Sequence, residues 1–329
     1  MFEKIVGHVD AKNELKNHIH KNELSHAYIF YGNEGIGKFS LAKEFSKSLL
    51  CDESNEYCGS CQSCHLFDGK THPDFRIIDS EKSIKVQDIL EMIDFIISKP
   101  IISKKKVVVI NDSEKLTNEA QNKLLKTFEE PPSYGVIILI VNNPSKIIDT
   151  IKSRGYEIEF DVLDDNEVIE FLKHYSDDKE MNYSQIAKFS QGSITKAIST
   201  LESNRFSQLI DLPNEIFDSI IKNDEYKLLK IVPQASEIQE ILEFMLTWIR
   251  DISILKKSRN YESIFNVNYF NELQRQSNSF DIEILLKFSD IIENTKKVIG
   301  NHVNPVVSLN YCLLKIQEEY YEYSNRRQI

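Results

Sequence analysis

The chain has 329 residues, 41% of them apolar, and its 40 Lys and Arg are outnumbered by 51 Asp and Glu, a formal charge of −11. That length predicts two or three domains, and the acidic balance argues against a chain whose main work is to coat nucleic acid. No apolar run approaches the roughly 20 residues needed to span a bilayer, and the N-terminus carries charge at Glu3 and Lys4 and lacks the apolar core of about 7–15 residues that a secretion signal needs, so a cytoplasmic protein without membrane contact is expected.

The first element with a clear signature is Ala27-Tyr28-Ile29-Phe30-Tyr31, a short apolar and aromatic run that reads as a buried strand. It leads into Gly32-Asn33-Glu34-Gly35-Ile36-Gly37-Lys38-Phe39, and behind this loop Leu41, Phe45, Leu49 and Leu50 recur at helical spacing. Strand, glycine loop, helix is the setting of the G-x-x-x-x-G-K-[ST] phosphate loop, whose backbone N–H groups wrap phosphate while the lysine brings charge to it. Gly32, Gly35, Gly37 and Lys38 are therefore candidate phosphate contacts. The hydroxyl that would ligate Mg2+ is replaced by Phe39. Ser40 does not restore it, because one residue further along a helix points about 100° away.

Four of the five cysteines follow in the pattern Cys51-x6-Cys58-x2-Cys61-x2-Cys64. In a reducing compartment such a cluster reads as a metal site rather than as disulfides. Four thiolates suit tetrahedral, structural Zn2+ with no open position for chemistry. An iron–sulfur cluster is the alternative that thiolates alone leave open, and His65 or His72 could replace one sulfur. Cys61-Gln62-Ser63-Cys64-His65 also matches a haem attachment pattern, against which stand the lack of an export signal and the two upstream cysteines. Cys312 reads as a small buried apolar residue.

Strand and helix patterns then alternate. Phe75–Ile78, Lys106–Ile110, Gly135–Val141 and Tyr156–Phe160 read as strands. Val86, Ile89, Leu90 and Ile96 mark one helix, and residues 114–130 a second that stops at Pro131-Pro132. Lys104-Lys105-Lys106 is expected to be a solvated approach to its strand. The alternation predicts an α/β domain with a largely parallel sheet, its two continuously apolar strands buried on both faces. A phosphate-loop ATPase usually has an Asp and then a Glu at the end of such a strand. Here Ile110-Asn111-Asp112-Ser113-Glu114 offers a neutral Asn111 and a short Asp112, unless a shift of one residue makes Asp112 the aspartate.

The rest reads as helical. Leu163 to Ser203, with Val168, Phe171, Leu172, Ile186, Ala187 and Phe189, suffices for a small lid, and a separate all-helical block begins near Phe206. Its clearest helix is expected to start at Ser236 in a capping box with Gln239, followed by the stripe Ile238, Ile241, Leu242, Met245, Ile249 and Ile252. Asn304-Pro305 is a cap and first-turn pair leading into Val306, Leu309, Leu313 and Ile316.

Together, His26-Ala27-Tyr28 before the loop, the four-cysteine module, Leu124-Leu125-Lys126-Thr127-Phe128-Glu129-Glu130-Pro131-Pro132, Thr150-Ile151-Lys152-Ser153-Arg154 and Asn301 to Asn310 resemble the AAA+ clamp-loader subunits of bacterial DNA polymerase III. The resemblance covers nearly the whole chain. It implies an AAA+ phosphate-loop domain over residues 1–161 with a zinc module inserted at 51–64, a helical lid over 162–205 and an all-helical collar domain over 206–329. It implies a hetero-oligomer with ATPase motor and delta subunits, acting on the sliding clamp and primed DNA. It also implies that Arg154, with Ser153, reaches the γ-phosphate of ATP held by a neighbour, although the family's usual cysteine after this arginine is Gly155 here. Motor subunits keep the loop hydroxyl and carry an arginine in a Gly-Ser-x-Arg lid motif. This chain has Phe39 and, in Gly192-Ser193-Ile194-Thr195-Lys196, Thr195 at that arginine's position, with Lys196 reaching it only if the register moves. The resemblance thus favours the family's non-hydrolysing member over an active motor-type ATPase, while Lys38 and the glycines leave passive ATP or ADP binding open.

Overall fold

A computed structural model describes residues 2–54, 56–176, 183–202, 206–231, 233–257, 264–300 and 303–327. Ser203, Asn301 and His302, which enter the sequence readings above, lie outside the described residues. The chain divides into two compact units, Met1–Thr200 and Leu201–Ile329.

Among its described residues the first unit holds five strands, β1 (Ala27–Gly32), β2 (Phe75–Ile78), β3 (Lys106–Ile110), β4 (Gly135–Val141) and β5 (Tyr156–Phe160). All pair in parallel, in the order β2-β3-β4-β1-β5. Because successive side chains point to opposite faces, each apolar strand feeds two cores. One face joins Tyr28, Phe30, Val107, Val109, Ile138 and Ile140 to Leu15 of α1 (Val9–Lys21) and to Leu41 and Phe45 of α2 (Lys38–Leu50). The other joins Ile29, Val108, Ile110, Ile137 and Leu139 to two helices. These are α4 (Val86–Ile97), through Ile89, Met92 and Ile96, and α5 (Asn118–Glu129), through Leu124 and Phe128. Every residue of β3 and β4 is buried, as their unbroken apolar runs predict. The short helices α3 (Gln62–Asp68) and α6 (Asp149–Lys152) sit in connections, and α7 (Asp165–Tyr175), α8 (Tyr183–Ser190) and α9 (Ile194–Glu202) follow the sheet.

Two expectations need correction here. The helix read over 114–130 is broken: Ser113–Lys115 is a 3-10 turn, Leu116 is extended, and α5 begins only after Thr117, whose hydroxyl accepts the Ala120 N–H at 3.2 Å. A threonine that can satisfy an orphan N–H restarts the helix there rather than lying inside it. Lys106 is not solvated. It is buried, with its ammonium 2.6 Å from Ser98 Oγ and over the Phe95 ring, so its stem packs while its charge finds partners. Lys104 alone of the three lysines is exposed.

The second unit contains α10 (Phe206–Lys222), α11 (Glu225–Leu229), α12 (Ile238–Lys257), α13 (Phe270–Ser277), α14 (Ile282–Ile299) and α15 (Pro305–Arg327). The stripe on α12 is buried throughout, and Phe217, Trp248, Phe280 and Phe288 fill the same core. Buried Trp248 donates to Gln276 Oε1 at 2.7 Å, which satisfies its indole N–H. The start of α12 differs from expectation. A 3-10 turn, Ala235–Glu237, precedes it, and the capping box is formed by Gln234 and Glu237, so Ser236 lies inside the turn. Asn304 caps α15 as expected, accepting from the N–H groups of Val306 and Val307 at 3.0 and 3.3 Å. Cys312 is fully buried, which pushes its thiol up to about 11. Among the described residues no helix is long and apolar enough to cross a membrane.

Candidate functional site

Parallel sheets place their ligand crevice beyond the carboxyl ends of the strands, and this chain has such a cleft, of about 380 Å³, beyond β1, β4 and β3. Gly35 (φ 77°) and Gly37 (φ 107°) take backbone conformations that favour glycine, and Gly37 caps α2. Lys38 and Phe39 line the cleft, together with Asn111 and Asp112 after β3, Asn142 after β4 and Thr195 from α9. Ser40, expected to turn away, also borders the cleft as an exposed residue of its rim.

The loop's lysine is turned inward. Lys38 is 3% exposed, and its ammonium donates to Gly32 O at 2.8 Å, Asn33 O at 2.5 Å and Asn142 Oδ1 at 2.8 Å. These contacts occupy all three ammonium donors. Burial pulls Lys38 down to about 8, against the opposing pull of Glu114, Glu34 and Asp112. The acidic side is equally engaged. Asn142 Nδ2 donates to Glu114 Oε1 at 2.8 Å and to Asp112 Oδ1 at 3.2 Å, and Lys115 pairs with Asp112 Oδ2 at 2.8 Å. Asn111 instead reaches toward Asp79, at 3.4 Å. The one-residue shift is thus the arrangement found: Asp112, not Asn111, faces the lysine's network. Asn142 and Glu114 were missed in the sequence, although Asn142 is the first polar residue after the apolar run of β4.

The lid segment closes directly on the loop. Thr195 N–H donates to Gly35 O at 3.2 Å, and the Ser193 hydroxyl occupies the space a side chain at Gly35 would need. Thr195 is therefore in the cleft, as its place in the lid motif predicts. Lys196 is not: its ammonium lies 4.1 Å over the Phe189 ring. Phe39 is half-buried against the core, with Lys43 over its ring.

Arg154 lies just beyond α6, whose C-cap is Ser153, and the Ser153 hydroxyl donates to Thr150 O at 3.2 Å. Its guanidinium donates to Thr150 O at 2.9 Å and to Glu129 Oε1 at 2.8 Å. Glu129 is the last residue of α5, ahead of Pro131-Pro132, whereas Arg154 would pair with Glu157 or Glu159 of β5, nearer in sequence, if it were only a surface arginine. Glu159 bonds to Tyr31 OH instead. Gly155 is explained by a close approach: a Cβ there would run into the Ile29 side chain.

The four cysteines converge. Their sulfurs all lie within 4.8 Å of one another, with Cys51 and Cys61 3.9 Å apart. Tetrahedral Zn2+ at about 2.3 Å from each sulfur would set them roughly 3.8 Å apart, so Cys51, Cys58, Cys61 and Cys64 fit a metal with little adjustment. Backbone and hydroxyl donation from Ser60 and the N–H of Cys61 lower the Cys58 thiol to about 6, favouring a thiolate ligand. Neither histidine joins the cluster. His65 is exposed, and both ring nitrogens of His72 are taken by Ser63, Ser103 and the Asp74 N–H.

A parallel sheet with a phosphate-type loop after an interior strand, β1, and helices α7 to α9 following the sheet defines an AAA+-type phosphate-loop protein. Residues 7–164 match the family model described as DNA polymerase III, delta subunit, and residues 203–318 match the one for that subunit's C-terminal part. The chain belongs to this family of DNA polymerase III clamp-loader subunits. It is 33% identical over 205 residues to the tau/gamma subunit of Haemophilus influenzae, covering 60% of this chain and 30% of that one. It is 37% identical over 135 residues to the delta' subunit of Pseudomonas aeruginosa, 40% of this chain and 41% of the relative. Against the delta' subunit of Bacillus subtilis it is 25% identical over 317 residues, 92% of this chain and 94% of the relative. Relatives named tau or gamma and relatives named delta' both match.

Proposed function

We propose that this chain is a delta-prime-type, non-hydrolysing subunit of the DNA polymerase III clamp loader. In this reading it assembles in the cytoplasm with ATPase motor and delta subunits and helps to place the sliding clamp on primed DNA. Its working parts are a phosphate-loop domain (1–161), a lid (162–205) and a helical collar domain (206–329). The observation that carries the reading is the state of the cleft. Phe39 stands where a Mg2+ ligand belongs, Lys38 spends its donors on the loop and Asn142, and Thr195 brings no cation to the phosphates. Without metal and phosphate clamps, phosphoryl transfer loses its main electrostatic support. Gly32, Gly35, Gly37 and Lys38 then survive as architecture, and any ATP or ADP held there is held passively.

Arg154 is the residue offered to chemistry, in trans. Its guanidinium is 35% exposed and held by Thr150 O, Glu129 and, at 3.5 Å, Ser153 Oγ, which leaves other N–H groups for a neighbour's γ-phosphate. Ser153 sets the turn that presents it. Such a finger is worth about 10³–10⁵ in rate at the site it serves. Zn2+ on the four cysteines would act as a structural staple and supply no reaction chemistry. A second reading, an active motor-type ATPase, has in its favour that Lys38, Asp112, Glu114 and Asn142 meet at one cleft. The finger is tested in the complete complex: Arg154→Ala should leave assembly intact and lower DNA-stimulated ATP hydrolysis. Unchanged hydrolysis would remove Arg154 from the mechanism.

A further inference from the structure

Beside the cysteine module lies a buried polar cluster that neither the cleft nor the sulfur ligands account for. His72, Ser63 and Ser103 are all buried. His72 Nε2 lies 2.8 Å from Ser63 Oγ and 3.2 Å from Ser103 Oγ, and both hydroxyls donate to Leu50 O, at 2.5 and 2.7 Å. On its far side the ring's Nδ1 accepts the Asp74 N–H at 3.0 Å. A nitrogen that accepts from a backbone N–H carries no proton, so Nε2 carries it and donates to the serines. The Asp74 carboxylate in turn accepts the N–H groups of Ile101, Ile102 and Ser103 at 2.7, 2.8 and 3.0 Å. Asp74 O accepts from Val107 of β3 at 2.9 Å, which roots the cluster in the sheet.

The cluster meets the chain at two places. Leu50 immediately precedes Cys51, and Ser63 immediately precedes Cys64. The first and last sulfurs of the module therefore hang from one node, although the residues between them include exposed stretches such as Cys58 to Ser60. We propose that His72, assisted by Ser103, is a positioning residue of the metal centre: it binds no metal but holds the backbone on both flanks of the four-thiolate site. The inference rests on the reading that the cysteines hold Zn2+. Its physical basis is preorganisation. Ordering a loop costs conformational entropy, and a brace that orders it beforehand removes that cost from metal binding. Partners that orient metal ligands are typically worth about 10–100-fold in affinity.

The test uses the full-length chain, stripped of metal under reducing conditions, with Zn2+ affinity read by competition against a chromophoric chelator. His72→Phe keeps the ring's bulk without its hydrogen bonds and should bind Zn2+ about 10–100-fold more weakly. His72→Gln, which keeps an N–H donor, should recover part of the loss. Co2+-loaded protein should show the same four-thiolate spectrum in all variants. If His72→Phe does not fold, Ser103→Ala removes one leg of the brace and should weaken binding by a smaller factor.

Affinity unchanged, with stability lowered equally in the metal-free and Zn2+-loaded protein, would make the cluster merely structural and overturn the proposal. So would a Co2+ spectrum showing that a His72 variant has lost a nitrogen ligand. Failure of the unmutated chain to take up one metal overturns the zinc reading itself, and is seen before any variant is made.

Discussion

Two sites in one domain have met opposite fates. In the phosphate cleft the lysine and the two acidic groups nearest it have found partners within the protein: Lys38 on loop carbonyls and Asn142, Asp112 on Lys115, Glu114 on Asn142. In the cysteine module four sulfurs lie within 4.8 Å of one another, and the hydrogen bonds they accept come from the module's own residues, among them Ser60, Cys61 and Cys64. A polar group already satisfied by the fold gains little from a ligand, since binding must first break what is there. Sulfurs gathered at metal-ligand spacing are in the reverse position: burial pushes the Cys64 thiol up to about 12, and a cation among the four would favour the charged form that burial opposes. In the proposed reading, the contrast separates a loop kept for its shape from a cluster kept to hold a structural metal.

The sharpest way to break that contrast is to remove a ligand from each site. Cys64→Ser should abolish stoichiometric metal binding, measured by metal analysis. It should also lower the melting temperature to that of the chelator-treated parent, because metal binding by a site absent from the unfolded chain is folding free energy. Lys38→Ala should leave DNA-stimulated hydrolysis by the assembled complex unchanged, and so contrast with Arg154→Ala. A drop comparable to that of Arg154→Ala would mean that the cleft is at work. Phe39→Thr restores the missing hydroxyl and sharpens the comparison from the other side. Turnover should still be absent, since Lys38 stays engaged and Thr195 still brings no cation. The lost apolar packing should cost about 1 kcal/mol in denaturant unfolding.

A smaller effect tests the support beneath the module. Burial opposes ionisation of Asp74, but the N–H groups of Ile102, Ser103 and Ile101 outweigh it and hold the carboxyl below its ordinary 3.8. A carboxyl lowered on folding contributes stability above its unfolded value, and that contribution is lost as pH falls through the folded value. The parent should therefore lose stability below about pH 4. Asp74→Asn should be less stable at pH 7 and show a flatter slope in that acid range. Parallel stability-versus-pH curves would refute the assignment.

Much of this was legible in the sequence, for reasons that can be located. The strands announced themselves because β-branched runs such as Lys106–Ile110 and Gly135–Val141 have one stable place, the middle of a covered sheet. Phe39, Thr195 and the cysteine spacing were readable because each is a local departure from, or fit to, a spacing that chemistry dictates. Three features were not. Asn142 becomes meaningful only once β4 is known to lie between β1 and β3, and sheet order is not written in either strand. The Glu129 partner of Arg154 is a pairing across 25 residues that sequence spacing cannot supply. His72 looked like a spare ligand until the backbone N–H of Asp74 and two serine hydroxyls were found on its nitrogens.

The central claim, that the cleft keeps a nucleotidase's shape without its reaction, is tested most directly by Mg2+-dependent ATP turnover of the isolated, full-length chain. The structure predicts none above the rate without protein. Turnover that requires Mg2+ and disappears in Lys38→Ala would contradict it.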